Sequence, residues 1–262
     1  MAIRRAVVTG ASSGIGAATV RALRASGWDV VGVARRAERL EALSSETGAT
    51  GFAADLTRQE DVDALAAHLA ETGPLHAVAH VAGGARGTDR VEDGDPEGWL
   101  WMYEANTLSA QRIVKALLPQ LRRTSAAEST HGDLLFVTST AAQMAYPGGS
   151  GYNAAKAGES MIAQALRLEL SGEPMRVIEV APGMVKTEEF SLNRLGDADA
   201  AEAVYEGVER PLVAEDVADV IAYALNAPGH VNLDLITMRP VAQSAQYLVH
   251  RGPLAPRVEP GA

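Results

Sequence analysis

Residues 3–16 read IRRAVVTGASSGIG, and the helical pattern AATVRALRASG follows at 17–27. The opening IRRAVVT is rich in β-formers and predicts a strand, and the glycines that follow it predict a turn into the helix. Strand, glycine turn and helix are the parts of a dinucleotide-binding unit, because glycines let the backbone approach a pyrophosphate at a helix N-terminus. The spacing G-x-x-x-G-x-G differs from the G-x-G-x-x-G fingerprint, so a purely structural tight turn stays open as the alternative for this motif alone.

Strand and helix patterns alternate along the rest of the chain. Runs rich in β-formers lie at 28–34, 75–82, 132–139 and 175–181, separated by amphipathic stretches such as AERLEALSSET and QEDVDALAAHLAET. This alternation predicts an α/β fold with a parallel sheet and crossover helices on both faces. A chain of 262 residues with 47% hydrophobic residues can bury one large core, and we expect no division into two domains.

Between the strand patterns, one long helix and three irregular segments are predicted. Asp95 and Pro96 suit the N-cap and the first position of a helix that continues through Leu121. Three segments do not fit regular elements, namely 86–95, 124–132 and an acidic stretch from about 188 to 219. A solvated helical surface is the simplest interpretation of the acidic stretch.

A second motif combines a tyrosine, a lysine and a serine. Tyr152 and Lys156 stand four residues apart in GYNAAKAG, and Ser139 ends the apolar run LLFVTS. Positions i and i+4 share one helix face, so the phenol and the ammonium would project into one site. A neighbouring Lys⁺ lowers the pKa of a tyrosine from its usual value near ~10, and a serine hydroxyl can hydrogen-bond the oxygen that is reduced or oxidised. An aromatic residue packed on the core beside a lysine that reaches solvent is the alternative for this pair alone.

Together these motifs resemble the short-chain dehydrogenase/reductase family. The resemblance runs from about residue 3 to about residue 245 and rests on TGASSGIG at 9–16, Asp55-Leu56, Asn106 in YEANTLS, Ser139, Tyr152, Lys156, and PGMVKT at 182–187. It implies a doubly wound parallel sheet (Rossmann fold) of about seven strands with helices on both faces, in one dinucleotide-binding catalytic domain over 1–262. One departure is visible, because the N-N-A-G of the family is His80-Val81-Ala82-Gly83 here, and weaker bracing of the neighbouring strands is expected there.

The resemblance also implies a role for each motif residue. Tyr152 would be the general acid in reduction and the general base in oxidation, Lys156 would lower its pKa and bind the nicotinamide ribose, and Ser139 would polarise the carbonyl. Asn106 would hold a water chain to solvent. The implied cofactor-binding residues are Gly10, Ser12, Ser13, Gly14, Ile15, Gly16, Arg35, Arg36, Asp55, Leu56, Ala82, Gly83, Tyr152, Lys156, Pro182, Gly183, Val185 and Thr187.

Larger features of the family are implied as well. A mobile substrate lid is expected at about 188–212, and the Pro-rich tail at about 250–262 is expected to be frayed or draped over a neighbouring subunit. The long helices near 96–122 and 151–171 would form a dimer face, so a homo-oligomer, a dimer or a tetramer, is expected.

Cofactor choice follows from charge at the end of the second strand. An acidic side chain there would bind the ribose diol of NAD and repel a 2′-phosphate. This chain has Ala34 there, followed by Arg35 and Arg36, and two guanidiniums suit a phosphate. NADP (NADPH) is therefore predicted and NAD is less favoured, with Arg35 the more important arginine by resemblance. The alternative is that both arginines merely begin a surface helix.

The substrate is the least determined feature. The stretch APGHVNLDLITMRPVAQS resembles the bacterial NADP-dependent serine and 3-hydroxy acid dehydrogenases, which implies a small polar 3-hydroxy acid or a related carbonyl compound. A generic ketone or aldehyde reductase is the alternative. The candidate pocket residues, for each of which simple packing is an equal interpretation, are Gln143, Met144, Tyr146, Met184 and Phe190.

Composition argues against several other classes of function. The net charge of −10 disfavours nucleic acid and anionic membranes as partners. The chain has no cysteine and its six histidines show no close ligand spacing, so no metal is expected. The start MAIRRAVVTG shows no signal peptide and no apolar run has membrane-spanning length, so a cytoplasmic protein is expected.

Two other functions are alternatives to an enzyme of this family. An NADP(H)-sensing regulatory protein without significant turnover would keep the fold, but retention of all four catalytic positions favours an enzyme. An α/β-hydrolase is excluded, because the serine in Gly149-Ser150-Gly151 lacks the G-x-S-x-G pattern.

Overall fold

The computed structural model describes residues 3–256. The strands are β1 (Arg5–Thr9), β2 (Asp29–Ala34), β3 (Thr50–Ala53), β4 (Ala77–His80), β5 (Gly132–Val137), β6 (Met175–Pro182), β7 (Val185–Lys186), β8 (Leu212–Val213) and β9 (Leu235–Met238). The α-helices are α1 (Gly14–Ala25), α2 (Ala37–Thr47), α3 (Gln59–Thr72), α4 (Pro96–Met102), α5 (Ser109–Glu128), α6 (Ser150–Glu169), α7 (Phe190–Leu195), α8 (Ala198–Ala203) and α9 (Ala214–Asn226). A π-helical stretch, Tyr103–Leu108, joins α4 to α5, and a 3-10 turn, Thr140–Ala142, follows β5.

Within residues 3–256, seven strands form one parallel sheet in the order β3-β2-β1-β4-β5-β6-β9, and β7 pairs with β8 separately. This confirms the predicted doubly wound sheet. The chain first builds outward from β1 through β2 to β3, and then returns to add β4 on the other side of β1. Ligands bind at the carboxyl ends of the strands beside such a switch point.

Two hydrophobic cores lie on opposite faces of this sheet. On β1, Ala6 and Val8 belong to the core that includes α1 and α9, whereas Val7 belongs to the core that includes α3, α5 and α6. All three side chains are fully buried. Because helices cover both faces, the five central strands are nearly continuous runs of buried residues, whereas the edge strands β3 and β9 are partly exposed.

The helix predicted from Asp95 begins there and is interrupted by the π-helical stretch. The Asp95 carboxylate accepts hydrogen bonds from the backbone N–H groups of Glu97 (3.1 Å) and Gly98 (2.9 Å), which caps α4 as expected. The π-helical stretch that follows was not predicted from the sequence, although such stretches are frequent at functional sites.

The same helix extends beyond its predicted end. It continues past Leu121 to Glu128, so the prediction of an irregular segment at 124–132 is wrong for its first part. Thr124 is buried, and its hydroxyl accepts a hydrogen bond from the Leu75 N–H (3.1 Å). Tertiary contacts therefore outweigh the weak helix propensity of this Ser- and Thr-rich segment.

The predicted lid, 188–212, contains α7 and α8 and is held by the start of the tail. Gly252 N–H donates to the Gly207 carbonyl (2.7 Å), and Leu254 N–H donates to the carboxylate of Glu209 (2.6 Å). These two bonds tie the described part of the tail to its own lid, while 257–262 lie outside the described residues. No helix in the described part of the chain combines the length and the apolar character that a membrane crossing needs.

Candidate active site

A cleft of about 1050 Å³ opens at the carboxyl ends of the central strands. Its walls are the glycine turn after β1, the segments that follow β2, β3, β4, β5 and β6, the first turns of α6, and the lid. Every residue predicted to bind the cofactor lines this one cleft: Gly10, Ser12, Ser13, Gly14, Ile15, Gly16, Arg35, Arg36, Asp55, Leu56, Ala82, Gly83, Tyr152, Lys156, Pro182, Gly183, Val185 and Thr187.

Two of these glycines are required by close approach of other groups. A Cβ atom on Gly16 would lie 2.2 Å from the Gly10 carbonyl oxygen, so α1 packs directly on the turn. A Cβ atom on Gly83 would lie 2.4 Å from Asn106 Oδ1 and 3.2 Å from Lys156 Nζ. Bare backbone therefore lines the cleft beside both α1 and Lys156, and such a surface fits an extended dinucleotide.

The four predicted catalytic residues come from three separate parts of the chain. Tyr152 and Lys156 lie one turn apart on α6 and are buried, and Ser139 precedes the 3-10 turn, where its hydroxyl accepts a hydrogen bond from the Ala141 N–H (3.0 Å). These three residues line the cleft.

Asn106 lies behind the cleft, fully buried in the π-helical stretch. Its amide nitrogen donates to the carbonyls of Met102 (2.7 Å) and Gly84 (2.9 Å), and its Oδ1 accepts from the Gly84 N–H (3.1 Å). The side chain thus fixes the loop after β4 against the helix, next to Gly83.

The environment of Tyr152 corrects one expectation. Burial raises the pKa of the Tyr152 phenol, while the charge of Lys156 and the nearby Ser139 hydroxyl lower it, and burial is the larger effect. Lys156 acts in the predicted direction, but the expected net lowering of the tyrosine pKa is wrong for the structure described. The phenol is consequently the stable form of Tyr152 at neutral pH.

Lys156 belongs to a buried ion pair that the sequence analysis did not name. Its Nζ donates to Glu159 Oε2 (2.7 Å) and to the Val137 carbonyl (3.0 Å), and both charged side chains are buried. Burial raises the pKa of Glu159 to about 7, against the attraction of Lys156. The i, i+3 spacing of the two residues on α6 is the signal that would have identified Glu159.

His80 lies on the other side of Glu159. Its Nε2 is 3.8 Å from Glu159 Oε1, a buried atom without a hydrogen-bond partner among the described residues. Burial and the charge of Lys156 lower the pKa of His80 to about 3, so the imidazole is neutral. No group of three or more His, Asp or Glu side chains in residues 3–256 is arranged to hold a metal ion.

His80 also replaces the bracing that its neighbour Val81 cannot provide. Its Nδ1 lies 3.2 Å from Thr9 Oγ1 and its Nε2 lies 3.2 Å from Ser109 Oγ. The Thr9 hydroxyl also accepts hydrogen bonds from the backbone N–H groups of Val81 and Ala82 (3.0 Å each). The ends of β1 and β4 and the start of α5 are therefore tied together despite the departure from N-N-A-G.

The two arginines after β2 have different surroundings. The Arg35 side chain is exposed and forms no hydrogen bond or ion pair with any residue in 3–256. The Arg36 guanidinium turns back toward the glycine turn, donating to Ser12 Oγ (2.8 Å) and to both oxygens of Glu189 (2.7 and 2.9 Å). Glu189 was not predicted individually, because no local spacing links it to Arg36.

The predicted substrate residues divide into two groups. Tyr146, Met184 and Phe190 line the cleft, and the Phe190 ring lies edge-on to the Tyr152 ring at 5.6 Å between centroids. Gln143 and Met144 are exposed and do not line it, and the Gln143 amide donates to Thr237 Oγ1 (2.9 Å).

Arg194 on α7 is a cleft residue that the sequence analysis missed. Its guanidinium donates to the Tyr146 hydroxyl (3.0 Å) and to the Gly148 carbonyl (2.7 Å), and its central carbon lies 6.0 Å from the centre of the Tyr152 ring. The lid thereby places a positive charge close to the phenol.

Comparison with solved structures finds the same architecture bound to a nicotinamide cofactor. The closed form of a serine dehydrogenase complexed with NADP⁺ superposes with a TM-score of 0.87 at 32% identity, over 94% of this chain and 99% of that chain. An alcohol dehydrogenase from Thermococcus sibiricus, complexed with 5-hydroxy-NADP, superposes with a TM-score of 0.78 at 28% identity, over 94% of this chain and 100% of that chain.

Sequence relatives agree with these structures. An uncharacterized oxidoreductase of Mycobacterium tuberculosis (strain H37Rv) is 49% identical over 92% of this chain and 93% of the relative. The serine 3-dehydrogenase of Agrobacterium fabrum is 36% identical over 94% of this chain and 97% of the relative. The model of the short chain dehydrogenase family matches residues 4–195. The chain therefore belongs to the short-chain dehydrogenase/reductase family and is an oxidoreductase.

Proposed function

We propose that the protein is an NADP(H)-dependent oxidoreductase that transfers a hydride between the nicotinamide and the carbon of a carbonyl or secondary alcohol. The main support for this proposal is that Ser139, Tyr152 and Lys156 line the same cleft as all of the predicted cofactor-binding residues. When bound, the cofactor supplies the hydride, so the protein must supply positioning and one proton.

The side chains divide this work among them. Tyr152 donates its phenolic proton to the carbonyl oxygen in reduction and accepts a proton in oxidation, while the Ser139 hydroxyl donates a hydrogen bond to the same oxygen. Lys156 favours the phenolate electrostatically and would bind the nicotinamide ribose. Asn106 fixes the loop that carries Gly83, and we assign it the water chain through which the proton reaches solvent.

The preference for NADP(H) is supported by charge at the end of β2. Ala34 offers no carboxylate that would repel a 2′-phosphate, and Arg35 is exposed at the cleft without an ion pair among the described residues. The structures compared above contain NADP⁺ and an NADP derivative. The regulatory alternative has no support, since the named relatives are oxidoreductases.

For the substrate, we propose a small anionic hydroxy acid or the corresponding carbonyl compound. Arg194 brings a guanidinium to within 6.0 Å of the Tyr152 ring, where the carboxylate of a 3-hydroxy acid could pair with it while the hydroxyl meets the phenol. The relatives named serine 3-dehydrogenase and NADP-dependent 3-hydroxy acid dehydrogenase, the latter from Escherichia coli K12 at 33% identity over 94% of this chain and 98% of the relative, agree with this substrate class.

We further infer that residues 1–262 form one domain and that the protein is a homo-oligomer. The single large sheet with a core on each face supports one domain. Exposed apolar side chains on the two long helical segments, namely Leu100, Met161 and Leu168, support association through these helices. The cytoplasmic location stays a prediction.

A substrate panel with a matched variant tests the proposed function. NADPH and NADH are each supplied with 3-oxo acids and neutral ketones, and NADP⁺ and NAD⁺ with 3-hydroxy acids, serine and neutral alcohols. Tyr152→Phe removes only the hydroxyl, so turnover should fall by about two orders of magnitude or more while NADPH affinity is kept. Retention of more than about a tenth of wild-type turnover would refute the role of Tyr152.

A further inference from the structure

The carboxylate of Glu189, at the start of the lid, lines the cleft and occupies an anion site there. It accepts hydrogen bonds from both terminal nitrogens of Arg36 (2.7 and 2.9 Å) and from the Ser13 hydroxyl (2.9 Å). An Arg39 nitrogen lies 2.8 Å from Glu189 Oε1. One carboxylate thus receives donors from the glycine turn, from the end of β2 and from α2.

These donors are of the kind that a phosphate requires. A guanidinium fork with an adjacent hydroxyl and a second guanidinium recognises carboxylate and phosphate oxygens equally well. Ser13 and Arg36 are also residues that the sequence assigned to the cofactor. The hydrogen bond from Arg36 holds the pKa of Glu189 below its ordinary value against partial burial, so the site contains a full negative charge.

The neighbouring Arg35 has no such partner. It lines the same cleft, and its side chain makes no ion pair with any described residue. An incoming 2′-phosphate would therefore find Arg35 free, whereas Arg36, Arg39 and Ser13 are already bound to a carboxylate.

We propose that Glu189 is a specificity-determining residue that competes with the cofactor's 2′-phosphate for Ser13, Arg36 and Arg39. Its carboxylate thereby weakens binding of the phosphorylated cofactor relative to the unphosphorylated one. This inference rests on the proposed NADP(H) function.

Electrostatics gives the direction of the effect whichever way the competition is resolved. If the phosphate displaces Glu189, the carboxylate loses its hydrogen bonds; if Glu189 stays, a carboxylate lies close to a phosphate dianion. Both outcomes penalise a ligand with a 2′-phosphate, and neither penalty acts on a ligand without one. Replacing Glu189 by a neutral residue should therefore increase the affinity for the phosphorylated ligand relative to that for the unphosphorylated one.

The test uses two adenosine nucleotides that differ only in this phosphate, 2′,5′-ADP and 5′-AMP. Their dissociation constants are measured by calorimetry with wild type, Glu189→Gln and the control Glu188→Gln. Glu188 is exposed and accepts no hydrogen bond from the residues that the structure describes, so its variant removes the same charge next to the site. Glu189→Gln should bind 2′,5′-ADP about three- to tenfold more tightly and change 5′-AMP by less than about twofold, with Glu188→Gln close to wild type.

Three results with the variants would overturn the inference. The first is an unchanged ratio of the two dissociation constants in Glu189→Gln. The second is equally weaker binding of both nucleotides, which would mean that Glu189 holds the lid closed over the cofactor. A similar gain in affinity for 2′,5′-ADP in Glu188→Gln would show that the effect comes from net charge and not from the contacts of Glu189. If neither the wild type nor Glu189→Gln prefers 2′,5′-ADP to 5′-AMP, the NADP(H) proposal fails first and this inference fails with it.

A second variant keeps the test decisive if Glu189→Gln is poorly folded. Arg39→Ala removes a donor that this inference assigns to the 2′-phosphate. It should weaken 2′,5′-ADP by roughly three- to tenfold and leave 5′-AMP unchanged. Equal affinity of wild type and Arg39→Ala for 2′,5′-ADP would count against the shared anion site.

Discussion

Replacing His80 by asparagine should change how the stability of the protein depends on pH. Burial and Lys156 lower the pKa of His80 from 6.5 to about 3. A base whose pKa is lowered by folding contributes stability above its unfolded pKa, and this stability is lost as the pH falls toward the folded value. Once the unfolded histidine is protonated, the free energy of unfolding falls by about 1.4 kcal/mol for each further pH unit. His80 alone should therefore lower the free energy of unfolding by about 2 kcal/mol between pH 8 and pH 5.

Glu159 acts in the opposite direction over the same range. Burial raises its pKa from 4.5 to about 7, so its contribution to stability is full below pH 4.5 and is lost as the pH rises through 7. The two neighbouring groups therefore offset each other in the wild type. His80→Asn leaves the Glu159 contribution alone, and asparagine is the residue that the family motif has at this position.

The assay is urea denaturation of wild type and His80→Asn at pH 5, 6, 7 and 8. The free energy of unfolding of wild type minus that of the variant should be about 2 kcal/mol smaller at pH 5 than at pH 8. His230→Asn is the control, because His230 is exposed. If the His80→Asn and wild-type profiles run parallel within about 0.5 kcal/mol, His80 is not held neutral by the fold and the reasoning fails.

Two further predictions concern the cleft itself. Arg35→Ala should lower NADPH affinity roughly ten- to a hundredfold and leave NADH affinity nearly unchanged. Ala34→Asp combined with Arg35→Ala should invert the cofactor preference. Measurement of kcat/KM with both cofactors checks this, and an equal loss with NADPH and NADH would mean that Arg35 has only a structural role. Lys156→Ala should lower turnover and cofactor affinity and shift the rise of the oxidation rate to higher pH, because Tyr152 loses the charge that favours phenolate. An unshifted pH profile would leave the lysine only a ribose anchor.

Features that depend on local pattern were predictable from the sequence. The strand, glycine turn and helix at the N-terminus follow from residues adjacent in the chain, and so does the Asp95 cap. The convergence of Ser139 with Tyr152 followed from the family resemblance, because the fold brings the end of β5 beside the start of α6. The exact end of α5 did not follow, since Thr124 is held in the helix by a contact with a residue 49 positions away.

The electrostatics of the site depended on pairs that are distant in sequence. Arg36 and Glu189 are 153 residues apart, so no motif contains both. The departure at His80 was visible, but its compensation was not, because Thr9 and Ser109 come from two other elements. The sign of the Tyr152 shift depended on how far burial exceeds the effect of Lys156, and a spacing of four residues does not reveal burial.

These buried charges together determine which form of the site is ready to react. Burial lowers the pKa of Lys156, but the charges of Glu159 and Tyr152 raise it by more, so Lys156 keeps its proton. The negative charge of Glu159 also raises the pKa of the Tyr152 phenol and so offsets part of the effect of Lys156. With burial added, Tyr152 stays protonated at neutral pH, which is the form required to donate a proton to a carbonyl oxygen. Oxidation of an alcohol must first remove that proton, so it is favoured only as the pH rises. Lys156 and Glu159 thus act on the Tyr152 pKa in opposite directions, an effect that the Tyr-x-x-x-Lys motif alone does not contain.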